Sequence, residues 1–153
     1  MNKHLFLFIG KYIICVLSLL CLMSCEVSTT IEPNKSDIVG VWKPDSSTLL
    51  DMKDRGSYDI SQLPVISVLQ NGTLELKNMP DWWNNALGES RKQLNFYTGK
   101  WELKKLGDHW KLIILYDRYT NTIFDIEGNA PSYHLTIWLG DPDQNHQMVF
   151  VRD

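Results

Sequence analysis

From Asp37 to the end of the chain, apolar residues recur mostly at every second position, the spacing that puts alternate side chains on one face of a strand. A chain patterned this way has little to offer a long helix and must pair strands into a sheet that buries one face. Turn signals divide the pattern into segments. The spacing predicts strands over Ile38 to Lys43, Val65 to Gln70 and Thr73 to Lys77. The last two flank Asn71-Gly72, a dipeptide that tolerates the positive φ angles of a tight hairpin. Asn95 to Leu106 and His109 to Tyr119 flank Gly107-Asp108 as a longer hairpin. There Trp101 and Leu103 alternate with Glu102 and Lys104, while Trp110, Leu112, Ile114 and Tyr116 share a face. Thr122 to Ile126 precedes Gly128-Asn129. Tyr133, Leu135, Ile137 and Leu139 then alternate with His134, Thr136 and Trp138, and Gln147 to Arg152 closes the chain. About eight strands joined by hairpins predict an all-β domain over 37–153, a small antiparallel up-and-down barrel or strongly bent sheet.

One stretch breaks the alternation. In Met79 to Ser90, Pro80 is suited to begin a turn of helix carrying Trp82, Trp83 and Leu87, with Asn78 or Asp81 as cap and Gly88 as stop. A short helix or ordered loop is expected near 80–88. Adjacent side chains on a helix diverge by about 100°, which would leave one of the two tryptophans free to touch a ligand, a partner or a membrane interface. Packing against the barrel is the alternative for both.

The first residues belong to a different regime. Lys3 and Lys11 make a basic start, and Tyr12 to Met23 follow as an uncharged apolar run of 12 residues, whereas a spanning helix needs roughly 20. The run reads as the core of a signal peptide. Its end, Leu22-Met23-Ser24-Cys25, resembles the lipobox of bacterial lipoprotein signals. That resemblance implies a diacylglycerol on the Cys25 thiol, cleavage after Ser24 and attachment to a membrane of the cell envelope, with the domain facing the periplasm or the cell exterior. A secreted chain cut elsewhere and an uncleaved anchor are the alternatives. On this reading residues 1–24 are the signal, 25–36 a polar flexible tether containing Pro33, and 37–153 the folded domain.

Cleavage would remove Cys15 and Cys21 and acylation would occupy Cys25, so the mature chain has no thiol for a disulfide, for catalysis or for a metal. Its stability must come from a core, and all six tryptophans lie in the mature part. Taking Lys3 and Lys11 from the 15 basic residues while leaving all 18 acidic ones moves the formal charge from -3 to -5. This mild acidity supplies no electrostatic reason to bind nucleic acid.

Gly40-Val41-Trp42, at the start of the first expected strand, resembles the Gly-x-Trp signature of lipocalins and related calycin barrels. The resemblance implies that Gly40 and Trp42 close one end of a lipocalin-like barrel. It also implies that Arg152, in the last strand, packs across the indole ring. Gly99-Lys100-Trp101 repeats the same letters, so at least one instance has another meaning. More broadly, the order of features resembles a group of poorly characterised bacterial exported proteins. It runs Gly40-x-Trp42, Asn71-Gly72-Thr73, Pro80-Asp81-Trp82, Gly99-x-Trp101-x-Leu103, Gly140 to Asp143 and Phe150-x-Arg152. That likeness covers nearly the whole mature chain and carries no known reaction.

Residues able to carry chemistry are sparse. His109, His134 and His146 show neither the spacing of a zinc pair nor a neighbouring nucleophile. Asp125 and Glu127 stand two apart on an expected strand, as paired glycosidase carboxylates would, but acidic residues near a turn are commonly solvated surface. Asp141, Asp143 and Asn145 alternate as in calcium loops. His146, however, takes the place of the required glycine and no glutamate follows at the twelfth position. No catalytic residue, metal or cofactor is therefore assigned. The sequence points to a non-catalytic, membrane-tethered domain that binds a small apolar ligand or an envelope component, with Trp82, Trp83, Trp110 and Trp138 as candidate contacts. A protein-binding inhibitor or immunity-type lipoprotein is the second expectation.

Overall fold

A computed structural model describes residues 31–56, 61–83, 93–116, 121–139 and 146–153. Cys25, the expected signal and residues 26–30 of the expected tether lie outside the described residues, as do 84–90 and the Gly140 to Asn145 segment. Eight strands run in chain order: β1 (Gly40–Pro44), β2 (Val65–Val68), β3 (Thr73–Pro80), β4 (Leu94–Leu106), β5 (His109–Leu115), β6 (Asn121–Asn129), β7 (Ser132–Trp138) and β8 (Gln147–Arg152). Each pairs antiparallel with the next, and β8 pairs with β1, so the sheet closes into an up-and-down barrel. The expected fold class is thus observed. Closure also means that every strand finds both neighbours within residues 40–152, which removes the open edges that a bent sheet would leave.

The turns follow local chemistry, with one difference from expectation. At Asn71-Gly72 only Gly72 takes positive φ, and the Gly72 amide bonds the Leu69 carbonyl at 3.1 Å. Leu69 to Gly72 thus form the connection, and β2 stops at Val68 rather than Gln70. The Asn71 side chain holds it, accepting from both the amide and the hydroxyl of Thr73 at 3.0 and 2.6 Å.

Among the described residues two helices frame the barrel. Ile38, expected to begin the first strand, instead ends the single turn α1 (Lys35–Ile38) and is fully buried. The second, α2 (Ser46–Gly56), occupies a stretch that strand periodicity leaves unassigned. Its signals are local. Asp45 caps it, accepting from the Thr48 amide at 2.8 Å and from the Ser47 hydroxyl. Burial alone would raise the Asp45 carboxyl, but these hydrogen bonds outweigh it and hold the group below its ordinary value. Thr48 and Met52, four apart, are the buried face of α2, and Leu50 on the other side is exposed. The Thr48 hydroxyl also accepts from the Val149 amide at 2.8 Å and bonds the Val149 carbonyl at 3.2 Å. It thereby pairs backbone of β8 that β1 leaves behind where it ends at Pro44.

A bulge in β3 decides what enters the barrel at the same end. Leu76 lies opposite Tyr97 but Met79 opposite Asn95, so β3 carries one extra residue, and Asn78 there adopts φ 54°. Its side-chain amide donates to the Leu63 carbonyl at 3.2 Å. Without the bulge, alternation would turn a polar asparagine inward; with it, Leu76 and Met79 both face the core. Asn78→Ala is expected to cost about 1–2 kcal/mol, since it forces a left-handed alanine and loses the bond. Asn78→Gly should cost less, because glycine accepts that conformation. Urea melts of the two variants test the claim, and equal losses would contradict it.

Candidate functional site

The barrel has one end, called the tether end because the expected tether leads to it, where α1 and the β2–β3, β4–β5 and β6–β7 turns lie, and a far end, where α2 and the turn after β3 lie. At the tether end Trp42 is fully buried, and its indole N–H donates to the Ile38 carbonyl of α1 at 2.9 Å. Arg152 stands opposite Trp42 in the β1–β8 ladder. Its guanidinium donates to the carbonyls of Ser36, Asp37 and Val39 at 3.4, 3.1 and 2.7 Å, tying the end of β8 to α1. Gly40, at φ 155°, lies beneath that group, and a Cβ there would stand 2.9 Å from Nε. Gly40, Trp42 and Arg152 are therefore one contiguous cluster.

The repeated Gly-x-Trp letters receive a related arrangement across the barrel. Trp101 of β4 points inward and donates its indole N–H to the Leu69 carbonyl at 2.9 Å. Gly99 answers to a different neighbour, since a Cβ would meet the Leu115 carbonyl at 2.6 Å where β4 and β5 approach. Both motifs thus place a tryptophan inside the tether end, one holding a backbone carbonyl of α1 and the other a carbonyl of the β2–β3 turn.

At the far end Pro80 belongs to β3, and Asp81 to Trp83 form a turn, with the Trp83 amide on the Pro80 carbonyl at 3.1 Å. Of the short helix or ordered loop expected near 80–88, the described residues 81–83 form a turn, and the remainder lies outside the described residues. Because these residues form a turn and not a helix, the two adjacent tryptophans both reach the interior and both are buried. Trp83 packs on Tyr97, Phe124 and Tyr116 with ring centroids at 5.7, 6.3 and 6.4 Å. Such pairs contribute about 0.5–1.5 kcal/mol each beyond the area they bury. Burial pushes the Tyr116 phenol well above its ordinary pKa, so it stays neutral in this cluster.

Between the two ends the described inward side chains pack against one another. Phe124, Phe150, Ile66, Leu74, Leu76, Leu112, Ile114, Leu135 and Met148 are all fully buried and belong to one core cluster. Among the described residues the interior at this level is packed side chain against side chain.

The outer wall is different. Of the four candidate contact tryptophans, Trp82 and Trp83 are buried, Trp110 is half-buried at the start of β5, and Trp138 presents 38% of its surface on the outside of β7. Ile123 of β6 and Leu115 of β5, 41% and 38% exposed, lie on the same wall, with Ile113 directly opposite Ile123. Asp125 faces Thr136, and continuing that register along the two strands brings Ile123 level with Trp138. An apolar row therefore crosses three neighbouring strands. Sequence periodicity carried the signal for Ile123, since it is out of phase with the inward Phe124 and Ile126.

Charged residues border the row. Lys111 is ion-paired with Asp125, and the Thr136 hydroxyl donates to Glu127 at 3.1 Å. Partial burial lowers the Lys111 pKa, and the nearby Glu127 charge opposes the shift. Asp125 and Glu127 do share a face, as expected, but each is held by a neighbour. His134 is exposed opposite Glu127, and His109 and His146 are exposed as well. Beside Leu115 the wall opens into a groove of about 630 Å³ bordered by Thr73, Glu75, Thr98 and Lys100. Among the described residues no group of three or more histidines, cysteines and carboxylates is placed to hold a metal. No helix among them is long and apolar enough to cross a membrane. In comparisons with protein-family models, curated proteins and solved structures, the chain matches none.

Proposed function

We propose that this chain is a lipid-anchored, non-catalytic binding module of the cell envelope, recognising a protein partner with the outer wall of its barrel. The observation that carries this reading is the contrast between a packed interior and an exposed apolar row of Leu115, Ile123 and Trp138. A filled barrel has no place for an apolar ligand, which disfavours a lumen-binding role. An apolar strip centred on a tryptophan and bordered by paired charges has the composition of a protein interface, with aromatic anchors inside and a polar rim outside. The groove beside Leu115 extends that surface. Lipid attachment through Cys25 is read from the sequence resemblance, and an inhibitor or immunity-type role is one form that such partner binding takes.

Site-specific crosslinking tests the reading. A photoreactive side chain at Trp138 is expected to give one discrete adduct in intact envelopes, lost when Ile123→Asp is introduced into the same chain. The same group at Lys53, on α2, should give none. Saturable, stoichiometric binding of a fluorescent fatty acid that Trp83→Leu abolishes would instead place the ligand inside the barrel and overturn the proposal.

A further inference from the structure

A second concave site lies at the tether end. A groove of about 440 Å³ is lined by Lys35, Ser36, Val39, Gln70, Trp101 and Arg152. Two of these residues are cations, and none is a carboxylate. Among the described residues neither Lys35 nor Arg152 makes an ion pair, and the nearby Asp37 carboxylate accepts instead from the Asn34 side-chain amide at 3.1 Å. The groove therefore concentrates positive potential in a concavity whose walls exclude part of the screening solvent.

The donors have a definite arrangement. Arg152 spends three N–H groups on the carbonyls of Ser36, Asp37 and Val39. A guanidinium has five, so two remain, on a head already held in place by the other three. Neutral carbonyls orient the group without cancelling its charge. Lys35, Ser36 and Gln70, each carrying a side-chain donor, line the same space, and the apolar residues Val39 and Trp101 line it with them. Several donors converging beside an apolar wall suit a tetrahedral oxyanion attached to an apolar body.

Position in the chain indicates where such a molecule comes from. Lys35 lies ten residues after Cys25. A stretched segment of that length reaches about 33–36 Å and a flexible one averages about 17–19 Å. If Cys25 carries lipid, this end of the barrel is held within reach of the headgroups. We infer that the groove between α1 and the β2–β3 turn binds the phosphate headgroup of an anionic membrane lipid, using Lys35 and Arg152 as its cations and Trp101 as its apolar wall. The inference rests on the anchored reading only for the source of the ligand.

The test uses residues 26–153, which contain the complete cycle of strands and lack the acylated cysteine that would itself bind lipid. Calorimetric titration with dihexanoyl phosphatidylglycerol, below its micellar concentration, is expected to give saturable binding near one per chain. Lys35→Glu should weaken that binding by about tenfold or more, because an attraction becomes a repulsion. Lys53→Glu, on α2 at the far end, changes the net charge equally and should have no such effect. An absence of saturable binding, or equal losses in both variants, would overturn the proposal. Glycerol 1-phosphate binding as tightly as the lipid would overturn its lipid part, since the apolar wall would then contribute nothing. Failure of the anchor reads out separately: a chain that takes up no fatty acid yet binds the lipid keeps the site and loses only the tether.

Discussion

Trp42→Ala is expected to lower the stability of the barrel by about 3–5 kcal/mol, the range for truncating a large buried aromatic. Three losses combine. The ring is fully buried, so its removal leaves a void next to Ile66 and beneath the Arg152 cluster. The Ile38 carbonyl loses its indole donor, and α1 loses its attachment to β1. Arg152 would still bond the carbonyls of α1, but over a gap. Since domains of this kind are stable by only about 5–15 kcal/mol, the variant sits close to unfolding at room temperature. Trp42→Phe separates the contributions: it keeps most of the apolar volume and loses the hydrogen bond, with an expected cost of about 1–2 kcal/mol. Urea unfolding followed by far-ultraviolet circular dichroism gives both values. A Trp42→Ala protein within about 0.5 kcal/mol of wild type would show that Trp42 does not close this end.

Cys25→Ala is expected to have an all-or-none effect of another kind. If Cys25 is the acylated residue, the substitution removes the only thiol that remains after cleavage before Cys25. Incorporation of a palmitate analogue should fall to background, and the chain should leave the membrane fraction. Folding should be unaffected, because the barrel closes through residues 40–152 alone. Attachment by acyl chains is strong because each buried methylene contributes about 0.8 kcal/mol, so intermediate partitioning is not expected. A wild-type chain that takes up no label would remove the anchor from this account. The packed interior and the outer apolar row would be untouched by that result.

The two variants probe opposite kinds of inference. Trp42 concerns contacts that the fold displays, while Cys25 concerns a motif whose chemistry is read from the chain alone. The same division runs through the molecule. Alternation along Tyr133 to Trp138 was enough to say that Trp138 points away from Tyr133, Leu135 and Ile137, because a strand's side-chain period is purely local. Hairpin turns at Gly72 and Gly107 were likewise legible, since positive φ is a property of one residue. Not legible was α2, whose buried residues among those described are Thr48 and Met52, the Thr48 hydroxyl being set by backbone of a strand about one hundred residues away.

Sequence by itself determined the strands, their inward and outward faces, the antiparallel hairpins and the candidate lipid attachment point, all of which depend on neighbours in the chain. Tertiary structure alone decided the rest. Closure of β8 on β1 determined that the sheet is a barrel, and the bulge at Asn78 determined that Leu76 and Met79 both face inward. Cross-strand register determined that Leu115, Ile123 and Trp138 form one surface, and α1 that Lys35 and Arg152 share one groove. The physical reason is common to these four. Each depends on how distant strands are staggered against one another, and that stagger is set by packing the whole interior at once.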